Sequence, residues 1–129
     1  MPRWVIHSRA AYNAHHALKS YQGQAEESHQ HLWEFAIRVG SDSLNEEGFA
    51  IDFHEVHGVL ETVVEPLRET DLNDHPQIGN PTPSAERLAE VLAGDLKGAL
   101  AAIGGALLTV SVWEGPDNRV DLCLNSSDR

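Results

Sequence analysis

Cysteine is almost absent: Cys123 is the only thiol in 129 residues, so no disulfide can close within one chain. That suits a reducing compartment, and a cytoplasmic location is the expectation. Basic residues are scarce too, with 9 Lys and Arg against 20 Asp and Glu. The resulting formal net charge of −11 repels phosphates and anionic headgroups, which argues against nucleic acid and membrane surfaces as partners. Long apolar runs are missing as well. The longest uncharged apolar stretch, residues 99–112, contains Gly104-Gly105 and falls short of the ~20 residues that a bilayer span requires. Nor does the chain start with a basic stretch followed by an apolar signal segment. What remains, 41% hydrophobic and 22% charged, reads as a single domain over residues 1–129 with one core.

Hydrophobic periodicity divides the chain into six elements. Strands are expected over residues 4–14 and 31–39, joined by a polar loop at 19–28. Asp52 with Glu55 forms a capping box, and Phe53, Val56, Leu60, Val63 and Leu67 follow at helical spacing until Pro66 bends or ends the helix. Thr82-Pro83 offers an N-cap and a first-turn proline to a second helix striped by Leu88, Val91, Leu92, Leu96, Leu100 and Ile103. Within it, Gly94 and Gly98 suit either close packing or plain tolerance of small residues. Two alternating strands close the chain, Leu108-Val110-Val112 and Val120-Leu122-Leu124, turned at residues 115–118. Cys123 alternates with that last apolar face and reads as a buried or edge thiol. The order ββααββ is satisfied most simply by an α+β fold, with two helices covering one face of an antiparallel four-stranded sheet.

The residues with chemistry to offer gather near strand ends. His29 and His31 share a face with Trp33, Phe35, Ile37 and Val39, whereas Gln30, Glu34 and Arg38 point the other way. Two imidazoles on one face can chelate a metal, or they can sit at the core edge and bond to backbone carbonyls. Glu114 ends the Leu108-Val110-Val112 face, and so caps an apolar wall just before a glycine turn. A carboxylate placed there suits a bidentate grip on the paired donors of a 2-amino-4-oxo ring, or else is an exposed strand-end acid.

Taken in order, the motifs resemble those of the 6-pyruvoyl-tetrahydropterin synthase and 6-carboxytetrahydropterin synthase family. Tyr12-Asn13-Ala14-His15-His16-Ala17-Leu18 resembles the family's aromatic-x-Ala-Ala-His-Arg-Leu segment, and His29-Gln30-His31 resembles its His-Gly-His. Residues 48–53, 81–89 and 110–114 resemble the starts of its two helices and the strand that ends in its pterin-anchoring glutamate. The resemblance implies the tunnelling fold, a homo-oligomer (a hexamer of two trimers), and zinc held by His16, His29 and His31. His15 becomes the first ligand if the register slips by one. It further implies that Glu114 anchors a pterin or purine-like ligand. Three imidazoles leave tetrahedral zinc an open position, as a catalytic site needs.

Departures from the family fall on its proton-transfer groups. Ala25 stands where the family has its cysteine, and Arg68-Glu69 stand where it has an Asp-His pair. Glu26, three residues before His29, occupies the place of a glutamate base used in a variant branch, and Glu69 is the other candidate carboxylate. Asp74-His75 lies close by, but aligning it would throw Leu72-Asn73 out of register. Gln30 replaces a glycine beside the histidines and predicts a looser hold on zinc. Two functions follow. One is a lyase acting on dihydroneopterin triphosphate or a related pterin with an altered base and product, such as side-chain cleavage. The other is a non-catalytic oligomer that binds a pterin or purine-like ligand.

Overall fold

The computed structural model describes residues 2–16, 29–79 and 82–125, with the backbone alone at His29. Four strands form one antiparallel sheet in chain order: β1 (Trp4–His16), β2 (His29–Ser41), β3 (Ala106–Glu114) and β4 (Asn118–Cys123). Between β2 and β3 come helices α1 (Phe53–Val64) and α2 (Ala85–Ala102), both on one face, α1 over β1 and α2 over β3 and β4.

The period of two in β2 is decisive for the core. Trp33, Phe35, Ile37 and Val39 are all at most 1% exposed beneath the helices, joined by Val110 and Val112 of β3 in direct register. Helix α2 adds Leu88, Leu92, Leu96 and Leu100, each at most 2% exposed, and each contributing about 1.5–3 kcal/mol of burial. Helix α1 adds Val56, Leu60 and Val64, and a 3-10 turn through Pro66 carries Leu67 back into the core.

Several local expectations need correction. Phe53 is 73% exposed, because it occupies the first position of α1, beyond the edge of the sheet-facing stripe. Helix α2 is capped by Ser84, whose hydroxyl accepts from the Arg87 amide, not by Thr82; the helix therefore starts two residues later than Thr82-Pro83 suggested. Pro83 is left outside the helix, where its carbonyl is free for another partner. Among the described residues nothing lies within 4 Å of a Cβ placed at Gly94 or Gly98, so neither mediates close packing there. Gly105 does: a Cβ there would meet Val39 Cγ1 at 2.5 Å. Both early strands run longer than their apolar patterns, β1 to His16 and β2 from His29, and this extension builds the site.

Candidate functional site

Antiparallel register brings the polar ends of three strands together. His16 pairs with His29 and Ala14 with His31 across β1 and β2, while Trp33 pairs with Glu114 across β2 and β3. Strand alternation then puts His16, His31 and Glu114 on the helix-covered face at one end of the sheet. His16 Nε2 lies 3.3 Å from Glu114 Oε1, and His31 Nε2 lies 3.7 Å from Glu114 Oε2. The three donor atoms all lie within 4.8 Å of one another.

His16 is 1% exposed, and its surroundings determine its chemistry. Its Nδ1 lies 3.1 Å from the Pro83 carbonyl oxygen, a pure acceptor, so Nδ1 carries a proton and donates it. In a neutral ring that leaves the Nε2 lone pair aimed at Glu114 and His31. This is the outer-shell arrangement that orients a metal-binding histidine. Trp33 packs edge-on against both rings, at centroid distances of 4.9 Å and 6.4 Å, and walls the group from the core. Its buried indole Nε1 has no hydrogen-bond partner among the described residues. Two imidazole nitrogens and a carboxylate at these separations suit a small divalent cation of borderline softness, zinc in particular.

The expected site residues are distributed as follows. His16, not His15, faces the cluster; the His15 amide instead donates to the Thr70 carbonyl, drawing the 70–71 segment along the outer edge of β1. His29 lies directly opposite His16 by backbone register, and its side chain is outside the described residues, as are Ala25 and Glu26. Glu69 is not among the gathered donors. It is exposed, its amide donates to the Asn13 carbonyl, and its φ of 61° makes it the one non-glycine residue at positive φ among the described residues. His75 Nδ1 accepts the amides of Gln77 and Ile78, a local structural task. Sequence reasoning did not find Pro83 as the partner of His16, and no local signal could have shown it, since the two are 67 residues apart.

Among the cavities bordering the sheet are two of more than 600 Å³. One, about 640 Å³, is lined by Glu114, Ser84, Glu86 and Asn118 and opens beside the histidine–carboxylate group. The other, about 710 Å³, lies toward the opposite end of β1 among Val5, Leu44, Phe49 and Phe53, with Asp52 and His54 also in its lining. The first is where a ligand could reach the cluster.

On the α1 side of β1, a second polar chain links Ser8, His57, Glu61 and Tyr12. Ser8 Oγ is 3.0 Å from His57 Nδ1, His57 Nε2 is 3.1 Å from Glu61 Oε1, and the Tyr12 hydroxyl donates to Glu61 Oε2. The hydrogen bond to Glu61, helped by burial and by the negative charge of that carboxylate, raises the Tyr12 phenol above its ordinary value of 10.

Comparison with known proteins accords with this architecture. Residues 5–123 match the family model described as 6-pyruvoyl tetrahydropterin synthase. A protein of Pyrococcus furiosus named dihydroneopterin monophosphate aldolase is 31% identical over 120 residues, spanning 88% of this chain and 92% of its own. The 6-pyruvoyl tetrahydropterin synthase of Caenorhabditis elegans superposes with a TM-score of 0.80 at 15% identity, covering 97% of this chain and 98% of that one. The Plasmodium vivax synthase, solved with its catalytic glutamate replaced by alanine, gives 0.72 at 14% identity over 95% and 99% of the two chains. These two structures share the tunnelling fold with this chain. With the family model spanning nearly every described element, from the second residue of β1 to the last of β4, the chain belongs to the 6-pyruvoyl tetrahydropterin synthase family.

Proposed function

We propose that this protein is a pterin lyase that cleaves the side chain of a dihydroneopterin phosphate, in the manner of an aldolase, and is not a pyruvoyl- or carboxy-tetrahydropterin synthase. The observation that carries the reading is the convergence of His16 and His31 on Glu114 beside an open cavity, at a sheet end where the chain has kept binding groups. Ala25 and Arg68-Glu69 stand where a synthase has its cysteine and Asp-His pair. The name of the Pyrococcus relative, an aldolase for dihydroneopterin monophosphate, supports that substrate class.

His16, His31 and His29 would hold zinc, which when bound polarises the side-chain hydroxyls of the substrate. Glu114 grips the ring N–H and exocyclic amine through two parallel charge-assisted bonds. Glu26 is the base. It removes the 2′-hydroxyl proton, the C1′–C2′ bond breaks, and the 2′ oxygen becomes an aldehyde. The electron pair left on C1′ is delocalised into the C6–N5 bond until C1′ takes up a proton. The products are a 6-hydroxymethyl-dihydropterin and glycolaldehyde phosphate. A catalytic glutamate in the Plasmodium vivax synthase supports a carboxylate in such a role. Among the described residues the outer edge of β4 and most of that of β1 are unpaired, which favours a hexamer of two trimers, with the cavity beside Glu114 closed by a neighbour.

The test is turnover of dihydroneopterin mono- and triphosphate by zinc-loaded protein, with products separated after oxidation. Hydroxymethylpterin from the monophosphate is the expected outcome, falling 10²–10⁴-fold in Glu26→Ala. Binding without any product would favour the non-catalytic reading, and 6-pyruvoyl or 6-carboxy product would overturn the proposal. Glu114→Gln should lose most pterin binding, because an acceptor oxygen becomes a donor facing a donor.

A further inference from the structure

Glu114 stands in two places at once if the pterin reading is followed to its end. Its two oxygens lie 3.3 Å and 3.7 Å from the Nε2 atoms of His16 and His31 of the same chain. The Nδ1 bond to Pro83 points the His16 lone pair at that carboxylate, so a neutral His16 and an ionised Glu114 would confront lone pair with lone pair. A proton on His16 Nε2 or a cation between the two groups removes the conflict; all three donors lie within reach of one cation, and it is that convergence which points to a metal. In a pterin, however, the N–H and amine that a carboxylate grips and the side-chain hydroxyls that a metal polarises lie at opposite ends, with the fused rings between them. One carboxylate cannot close over the cation and hold the far edge of a ligand whose near edge sits on that same cation.

We infer that Glu114 alternates between two partners: it ligates the cation beside His16 and His31 in the ligand-free protein, and leaves it to hold a pterin. This rests on the pterin-binding reading above and deepens it, for it makes the open coordination position a product of ligand binding instead of a standing feature. The side chain has the freedom to do this. It is 35% exposed, ends its strand, and borders the 640 Å³ cavity into which it would turn. The indole of Trp33 and the carbonyl of Pro83 hold His16 in place while the carboxylate moves. Cation and ring then compete for one carboxylate, and by linkage each weakens the other wherever the ligand gives the metal nothing in return.

Cobalt(II) substitution reads the first half without any pterin. Glu114→Gln should bind Co(II) at least tenfold more weakly than the unaltered protein and show a different d–d spectrum, whereas Glu86→Gln, on the same cavity wall, should match the unaltered protein. Circular dichroism confirms that each variant is folded. Unsubstituted pterin, which has no side-chain hydroxyls, reads the second half: it should weaken Co(II) binding by about fivefold or more and shift the spectrum of the unaltered protein toward that of Glu114→Gln. Identical Co(II) affinity and spectra in Glu114→Gln and the unaltered protein would overturn the ligand role. Pterin that binds yet leaves the Co(II) spectrum untouched would overturn the exchange while leaving pterin binding intact. Failure of any pterin to bind would instead sink the functional reading, and with it the exchange, with the cobalt comparison still deciding whether Glu114 is a ligand.

Discussion

Individual side chains here are set by partners far away in sequence. Tyr12 shows this with a measurable sign. Its phenol keeps its proton longer in the folded chain than in the unfolded one, because it donates to Glu61. The stabilisation is therefore complete below about pH 10, the ordinary tyrosine value, and is lost as pH rises through the raised one. Tyr12→Phe should cost about 1 kcal/mol in urea unfolding at pH 8. Near the alkaline limit the gap between variant and unaltered protein should close; a gap that stays constant would mean that the stabilisation does not depend on the phenol proton. Glu69 makes a second case. Its positive φ costs a non-glycine residue about 1 kcal/mol, so Glu69→Gly should stabilise the fold by that order. If Glu69 serves proton transfer, the same variant loses turnover as it gains stability; unchanged turnover removes it from the candidates.

The elements were legible in proportion to how strictly they repeat. Trp33 to Val39 alternates without a break, and all four inward positions are buried as the pattern required. The stripe of α2 is equally clear, but its start is not. Thr82, Pro83 and Ser84 offer overlapping capping signals, and the choice falls to Ser84, with the Pro83 carbonyl engaged by His16. The pairing of β2 with β3, which brings Glu114 up to the histidines, was not readable at all. Neither strand's own pattern states which residues face each other across so long a separation in sequence, and an irregularity between Arg38 and Val39 changes the register again at the far end of the pair. Glycines divide by the same logic of neighbours. Gly94→Ala, in the interior of α2 with nothing within 4 Å, should stabilise by about 0.5–1 kcal/mol. Gly105→Ala, which drives a methyl into Val39 and Ile51, should cost about 1–3 kcal/mol. Thermal or urea unfolding of the two variants side by side checks both signs.

At the scale of the whole molecule, one sheet face is covered by helices, and among the described residues the outer edge of β4 and most of that of β1 are open. No helix among the described residues is long and apolar enough to cross a membrane. If the open edges pair between copies, light scattering at micromolar concentration should give six chains per particle, and a monomer would overturn the assembly proposed above. The contact between His16 and Pro83 also has a kinetic consequence. It closes a loop of 67 residues, and Glu114 lies farther along still, so the complete donor set exists only once the chain has nearly finished folding. A cation can therefore do little to guide the chain toward the native state, but it can hold the finished structure shut. Zinc should leave the refolding rate nearly unchanged and slow unfolding, so that its whole stabilisation appears on one arm of the chevron. Stopped-flow measurements with and without zinc would show it. Faster refolding with zinc would mean instead that the strand ends meet early, and that the metal is a template for the fold.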